Sequence, residues 1–145
     1  MIININHFSI TVSNIEDSIQ FYQDILGFTL EGVRYNISED YLREVIGYDN
    51  GVLHIAFLKC PGGRIELIKY VQPQSELLDV STKNVGTSHI CFDVSDILTM
   101  HEELVKKGAK FQSKPVLIDR GPNKGAYAVY LKGPDNITIE LLQKP

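Results

Sequence analysis

Two short runs of alternating polar and apolar residues, far apart in the chain, share one pattern. The first extends from His7 to Ser13 and the second from His89 to Ser95. In each run a histidine is followed by apolar residues at every second position, which is typical of a β-strand with one buried face. A helical pattern follows both runs, so the chain is predicted to contain two copies of one unit.

Both predicted copies also end alike. In the runs 64–68 and 138–142, Glu66 and Glu140 each lie between apolar neighbours. Successive side chains of a strand point to opposite faces, so each carboxylate should lie on the face opposite its apolar neighbours. Each unit is therefore predicted to open with a histidine on a strand and to close with a glutamate on a strand.

The pattern between these ends predicts one helix and a hairpin in each unit. Ser13 and Ser95 are expected to cap the two helices, and Gly27 and Gly108 to end them. Strands are predicted at 3–12, 28–33, 52–59 and 64–70 in the first unit, and at 126–132 and 137–142 in the second. Each unit is then a βαβββ module, and the fold class is α+β, with a curved mixed sheet forming a cup and helices on its outer face.

A single domain over residues 1–145 is expected, made of modules at about 1–70 and 88–145 that are joined by the linker 71–87. Residues 38–47 have no counterpart of this form in the second module. Their cap residue, apolar stripe and terminal glycine predict a short helix. This helix either packs on the surface or acts as a lid over a cavity.

Composition restricts the function classes. The 145 residues are 43% hydrophobic and carry a formal net charge of −4, whereas nucleic-acid binding normally requires a basic face. No apolar run is long enough for a membrane span, and residues 1–4 do not resemble a signal peptide. We therefore expect a cytoplasmic protein without nucleic-acid or membrane partners. Cys60 and Cys91 lack CxxC spacing, so the cysteines suggest neither a disulfide framework nor a cysteine-only metal site.

Four side chains are candidates for metal binding: His7, Glu66, His89 and Glu140. If a pseudo-twofold axis relates the modules, both pairs can converge on the concave face of the sheet. Two imidazoles and two carboxylates suit a divalent transition metal, with Ni, Co, Zn, Mn and Fe all open. Taken singly, a histidine or glutamate in a strand is usually an ordinary polar residue, and it is the joint recurrence of all four that favours a site.

The paired modules resemble the vicinal oxygen chelate superfamily, which includes glyoxalase I, methylmalonyl-CoA epimerase, extradiol dioxygenases and bleomycin-binding proteins. Residues 18–22, 26–28 and 133–136 are also similar to the family, and the resemblance covers essentially the whole chain. The set of His, Glu, His and Glu resembles bacterial glyoxalase I. This resemblance implies a divalent-metal-dependent isomerase or lyase, like lactoylglutathione lyase, that removes a proton next to a metal-bound carbonyl. An epimerase, an Fe(II) dioxygenase and a non-catalytic drug-binding protein are the alternatives.

The same resemblance implies roles for particular residues. Glu140 is favoured as the catalytic base, and Glu66 could return the proton. A glutathione adduct or a CoA ester would need cationic contacts, for which Arg34, Arg120 and Lys124 are candidates. Cys91 is expected to be a buried filler thiol rather than a redox group. Members of the superfamily often place the site between units of different chains, so a homodimer is predicted, with the ligands supplied either by one chain or by both.

Overall fold

The computed structural model describes residues 1–145, which contain nine β-strands and three α-helices. In chain order the first six elements are β1 (Phe8–Thr11), α1 (Ile15–Asp24), β2 (Thr29–Ile37), α2 (Asp40–Ile46), β3 (Val52–Cys60) and β4 (Gly63–Gln72). The remaining six are β5 (Ile90–Asp93), α3 (Ile97–Lys106), β6 (Lys110–Phe111), β7 (Val116–Leu117), β8 (Tyr127–Lys132) and β9 (Thr138–Gln143). The chain divides into two compact units, Met1–Leu78 and Asp79–Pro145.

The sheet of the first unit has the strand order β1-β4-β3-β2. β1 is parallel to β4, and the other neighbours are antiparallel. α1 packs against β3 and β4, and its side chains Ile15, Ile19 and Tyr22 are buried there. One face of the sheet is thus closed by the helix, which leaves the polar positions of the strands on the other face.

The second unit repeats this plan. Its sheet has the order β5-β9-β8-β6, with β5 parallel to β9 and the short strand β7 paired to β8. α3 packs against β9 and buries Ile97 and Leu104. The α+β class and the two βαβββ modules are therefore confirmed, with the second strand of this unit, the counterpart of β2, split into β6 and β7. No helix of the chain is long and apolar enough to cross a membrane.

The N-cap of α1 is Asn14 and not the predicted Ser13. The Asn14 side-chain oxygen accepts hydrogen bonds from the backbone N–H groups of Glu16, at 3.0 Å, and Asp17, at 3.2 Å. The strand pairing continues to Val12, whose N–H donates to the Ile68 carbonyl at 2.8 Å. Ser13 is therefore used in the turn from strand to helix, and the cap lies one residue later.

The same shift occurs in the second unit. Asp96, and not Ser95, caps α3, and its carboxylate accepts a hydrogen bond from the Thr99 N–H at 3.0 Å. Val94 still pairs with the last strand, since its N–H lies 2.8 Å from the Leu142 carbonyl oxygen. The prediction of Gly27 and Gly108 as helix stops is correct, because both have a left-handed backbone with φ of 72° and 90°.

The first strand is shorter than the predicted range 3–12. Residues 1–7 are not in a strand, and Ile2, Ile3 and Ile5 are 98%, 92% and 86% exposed. Phe8 pairs with Ile65, only two residues after β4 begins, so earlier residues would face the hairpin turn and find no strand partner. As a result His7 and His89 each lie immediately before a strand rather than within it.

The helix predicted at 38–47 is present as α2. It ends at Gly47, which has a left-handed φ of 74° and whose N–H donates to the Arg43 carbonyl at 2.9 Å. None of its residues is buried, and Tyr41 and Val45 are 60% and 79% exposed. The apolar stripe of α2 is therefore not a core surface.

Candidate metal centre

The first His–Glu pair is built on the parallel strands β1 and β4. The neighbours of Glu66 in β4, Ile65 and Leu67, are completely buried. Strand alternation therefore turns Glu66 to the opposite face, as predicted. There, Oε2 of Glu66 lies 3.4 Å from Nε2 of His7, and the two side chains are 13% and 35% exposed. Both side chains are thus partly desolvated yet reachable from solvent.

The second pair has the same construction on β5 and β9. Ile139 and Leu141 are buried on one face, and Glu140 lies on the other. Oε2 of Glu140 lies 3.0 Å from Nε2 of His89, and the two side chains are 20% and 33% exposed. The structure therefore brings together the histidine and the glutamate that were predicted for each unit.

An aromatic residue contacts the histidine of each pair, and neither aromatic residue was predicted from the sequence. Phe57 in β3 faces Glu66 across the strands and meets the His7 ring edge-on, with centroids 5.9 Å apart. Tyr130 in β8 occupies the corresponding place in the second unit, facing its glutamate and 5.3 Å from its histidine ring. Counting residues back across the predicted first hairpin from Glu66 locates Phe57. In the second hairpin the predicted strand ends 132 and 137 would place Val129 opposite Glu140, and the observed pairing of Lys132 with Thr138 brings Tyr130 there instead.

A further contact orients the His7 imidazole. Its Nδ1 lies 2.8 Å from the Asn6 side-chain oxygen, which can only accept a hydrogen bond. In the tautomer with its proton on Nδ1, the ring donates to Asn6 and leaves an unprotonated Nε2 on the side of Glu66. A hydrogen bond to the remote ring nitrogen is the usual way in which a protein fixes the tautomer of a metal-binding histidine.

The donor atoms fit a metal ion. Two ligands that are each about 2.1 Å from one ion lie about 3.0 to 3.4 Å apart at octahedral or tetrahedral angles. The observed N–O separations are 3.4 Å in the first pair and 3.0 Å in the second. Within either unit, however, no group of three or more His, Cys, Asp or Glu side chains is placed to hold an ion. Each unit thus brings together two potential donor groups and no more.

Cys91 is exposed, so the expectation of a buried filler thiol is wrong, and Cys60 is the buried cysteine. Cys91 pairs in register with Glu140 on the neighbouring strand. Desolvation of the thiol, together with the Glu140 carboxylate, raises the pKa of Cys91 to about 11. The thiol is therefore protonated at neutral pH and is a poor nucleophile.

The three predicted substrate contacts already have local partners or lie in solvent. Arg34 donates to Glu39 at 2.5 Å, and Arg120 makes two hydrogen bonds to the adjacent Asp119, at 2.9 and 3.0 Å. Lys124 is exposed in the same loop as Arg120. The structure thus provides no preformed cluster of free cations around Arg120 and Lys124.

A cavity of about 450 Å³ lies in the first unit. Glu66 forms part of its wall, and so do Arg34 and the α2 residues Tyr41 and Leu42. The cavity therefore joins the inserted helix to one of the predicted metal ligands.

Comparison with known proteins agrees with this architecture. Residues 4–141 match the Glyoxalase/Bleomycin resistance protein/Dioxygenase superfamily. The chain is 31% identical over 140 residues to the uncharacterized protein YwbC of Bacillus subtilis, covering 97% of each chain. It is also 27% identical over 143 residues to a probable lactoylglutathione lyase of Synechocystis, covering 94% of this chain and 92% of the relative.

Among solved structures, a glyoxalase family protein of Bacillus cereus has a similar fold, with a TM-score of 0.82 at 24% identity, covering 99% of this chain and 95% of that one. At 24% identity, the similarity of the two structures shows only that the folds are alike. Together with the match over residues 4–141, it establishes that the chain belongs to the Glyoxalase/Bleomycin resistance protein/Dioxygenase superfamily.

Proposed function

We propose that the protein is a divalent-metal-dependent lyase or isomerase of glyoxalase type, acting on a small molecule with a carbonyl next to an oxygen-bearing carbon. The observation that carries the proposal is the recurrence of a His–Glu pair at the same place in both units, with N–O separations of 3.4 Å and 3.0 Å. His7, Glu66, His89 and Glu140 would hold the ion.

When bound, a divalent ion supplies Lewis-acid chemistry, polarising a carbonyl and stabilising the negative charge that develops next to it. Glu140 is the proposed base that takes the proton from the carbon beside the carbonyl. Its side chain is 20% exposed, which allows contact with a substrate while limiting access of water. Glu66, at 13% exposure, is the proposed group that returns a proton to the neighbouring carbon.

The name of the Synechocystis relative supports a thiol adduct as the substrate, and a CoA ester is the other class considered. Removal and return of a proton next to a carbonyl is a step common to both substrate classes, so the site alone favours proton transfer rather than one substrate. We also propose a homodimer in the cytoplasm, with a site that combines the first unit of one chain and the second unit of its partner.

Turnover in deuterated buffer tests the proposal. Metal-free protein is loaded separately with Ni, Co, Zn, Mn or Fe(II). Each sample is incubated with the hemithioacetal of methylglyoxal and glutathione, or with one epimer of an acyl-CoA that has a stereocentre next to its carbonyl. NMR follows product formation and solvent deuterium at the carbon that loses its proton. We expect an isomerised product that forms without oxygen uptake and carries deuterium in part of its molecules. Oxygen consumption with a catechol, or tight drug binding without turnover of any carbonyl substrate, would refute it.

A further inference from the structure

We infer that the cavity beneath α2 receives an apolar substituent of the substrate, an aromatic ring or a short alkyl chain, next to Glu66. The inference rests on the proposed function and adds a substrate class to it. The cavity lies wholly in the first unit, and its volume is about 450 Å³. Small-molecule pockets fall at roughly 300 to 1,000 Å³, so the space exceeds what a methyl group would fill.

The interior of the cavity is mainly apolar. Its lining includes Val33 and Ile37 from β2, Ile55 and Phe57 from β3, and Leu42 from α2. Ile37 is only 4% exposed, whereas the α2 residues remain accessible. Apolar side chains around an open space of this size favour a ligand that removes apolar surface from water.

The charged groups at the cavity are already paired. Arg34 donates to Glu39 at 2.5 Å, and Arg64 donates to Glu31 at 2.6 Å. The Arg64 guanidinium also lies 5.0 Å from the centre of the Phe57 ring. A polyanionic group would have to break these ion pairs to gain a cation, while an apolar group leaves them intact. The pairing therefore favours an uncharged occupant.

The cavity lies next to the residues of the proposed metal site. Glu66 and its cross-strand partner Phe57 both line the cavity, and Phe57 also contacts the His7 ring. A substrate whose oxygens approach Glu66 can thus extend a substituent between β3 and α2. The α2 wall has no buried residue that would fix it against the sheet, so it can adjust to the size of that substituent.

A matched pair of chelators tests the inference without turnover. Acetohydroxamate and benzohydroxamate offer the same two neighbouring oxygens and differ in a methyl or phenyl substituent. Their affinities for the zinc-loaded protein are measured by calorimetry, with metal content determined on the same sample. Benzohydroxamate is expected to bind at least about tenfold more tightly, in line with burial of a phenyl group. Methyl NMR signals of Leu42 and Ile55 should shift with this ligand.

The variant Leu42→Asp places a charge in the wall and should reduce the phenyl-to-methyl affinity ratio to within about threefold. Leu42→Gln provides a second, milder variant if the first folds poorly. Val45→Asp is the matched control, because Val45 is on the same helix, is 79% exposed and lies outside the cavity lining. It should keep the wild-type ratio.

Equal affinities of the two hydroxamates for metal-loaded protein would overturn the inference and leave the proposed function standing. A ratio that survives Leu42→Asp would also overturn it, since the phenyl group would then lie elsewhere. Protein that retains no zinc would refute the metal centre itself, and with it both proposals. If the phenyl preference is found but no proton transfer occurs with any carbonyl substrate, the binding inference stands and the proposed activity does not.

Discussion

Nε2 of His89 lies 3.0 Å from Oε2 of Glu140, across the parallel pairing of β5 with β9. These are the two atoms that a metal ion would take from the second unit. Under the proposal that both atoms are metal ligands, binding of an ion would replace this direct contact.

The first prediction is that metal affinity falls as the pH is lowered. An imidazole and a carboxylate bind metal only when deprotonated, so protons compete with the ion for both groups of each pair. Competitive titration with a chromophoric chelator should give a weaker zinc affinity at about pH 5.5 than at about pH 7.5. An affinity independent of pH over this range would contradict ligation by His7 and His89.

The two glutamates should differ in catalysis. Glu140→Gln keeps the shape of the side chain but removes the base. It should lower kcat by a factor of about 10² to 10⁴. Glu66→Gln should slow delivery of the proton to the product more than its removal from the substrate. Loss of substrate deuterium to water, followed by NMR, separates these two steps. Equal slowing of proton removal in both variants would contradict the assignment of Glu140 as base.

Much of the fold follows from the period-two pattern, because burial of one sheet face is a strong constraint. Ile65 and Leu67 are completely buried as expected, and Glu66 follows on the other face. Helix starts were less predictable. Serine is a good cap by itself, but the strand pairing of Val12 extends far enough to move the cap to Asn14. The position of the cap thus depends on a partner strand that is distant in sequence.

The two His–Glu contacts were predictable to the same extent. Repetition of His and Glu identified both pairs, since equivalent positions of two similar modules have equivalent surroundings. The contacts of Phe57 and Tyr130 depend on the hairpin register, and that of Arg34 with Glu39 on the path of the chain into α2. None of these produces a periodic signal in the sequence.

Removal of the α1 cap should destabilise the first unit. Asn14→Ala leaves the N–H groups of Glu16 and Asp17 without their acceptor and should lower the free energy of unfolding by about 1 kcal/mol. Asn14→Asp retains an acceptor and serves as the matched control. Urea denaturation followed by circular dichroism measures both variants. A wild-type stability for Asn14→Ala would show that the cap contributes nothing.

A shared site predicts complementation between inactive variants. His7→Ala and His89→Ala chains, mixed and allowed to exchange subunits, form heterodimers in which one site carries both lesions and the other is intact. A one-to-one mixture should then regain about a quarter of wild-type activity. His7→Ala mixed with Glu66→Ala is the control, because both lesions affect the first unit and no intact site can form. Absence of recovery in the first mixture would place the whole site within one chain.

Metal content of the purified protein tests the central claim most directly. The protein and its four single variants, His7→Ala, Glu66→Ala, His89→Ala and Glu140→Ala, are saturated with zinc, passed through a desalting column and measured by elemental analysis. The wild type should retain one ion per His–Glu–His–Glu set, and every variant should lose most of it. Metal content that no substitution changes, or a wild type that retains none, would contradict the claim that these four residues form a metal centre.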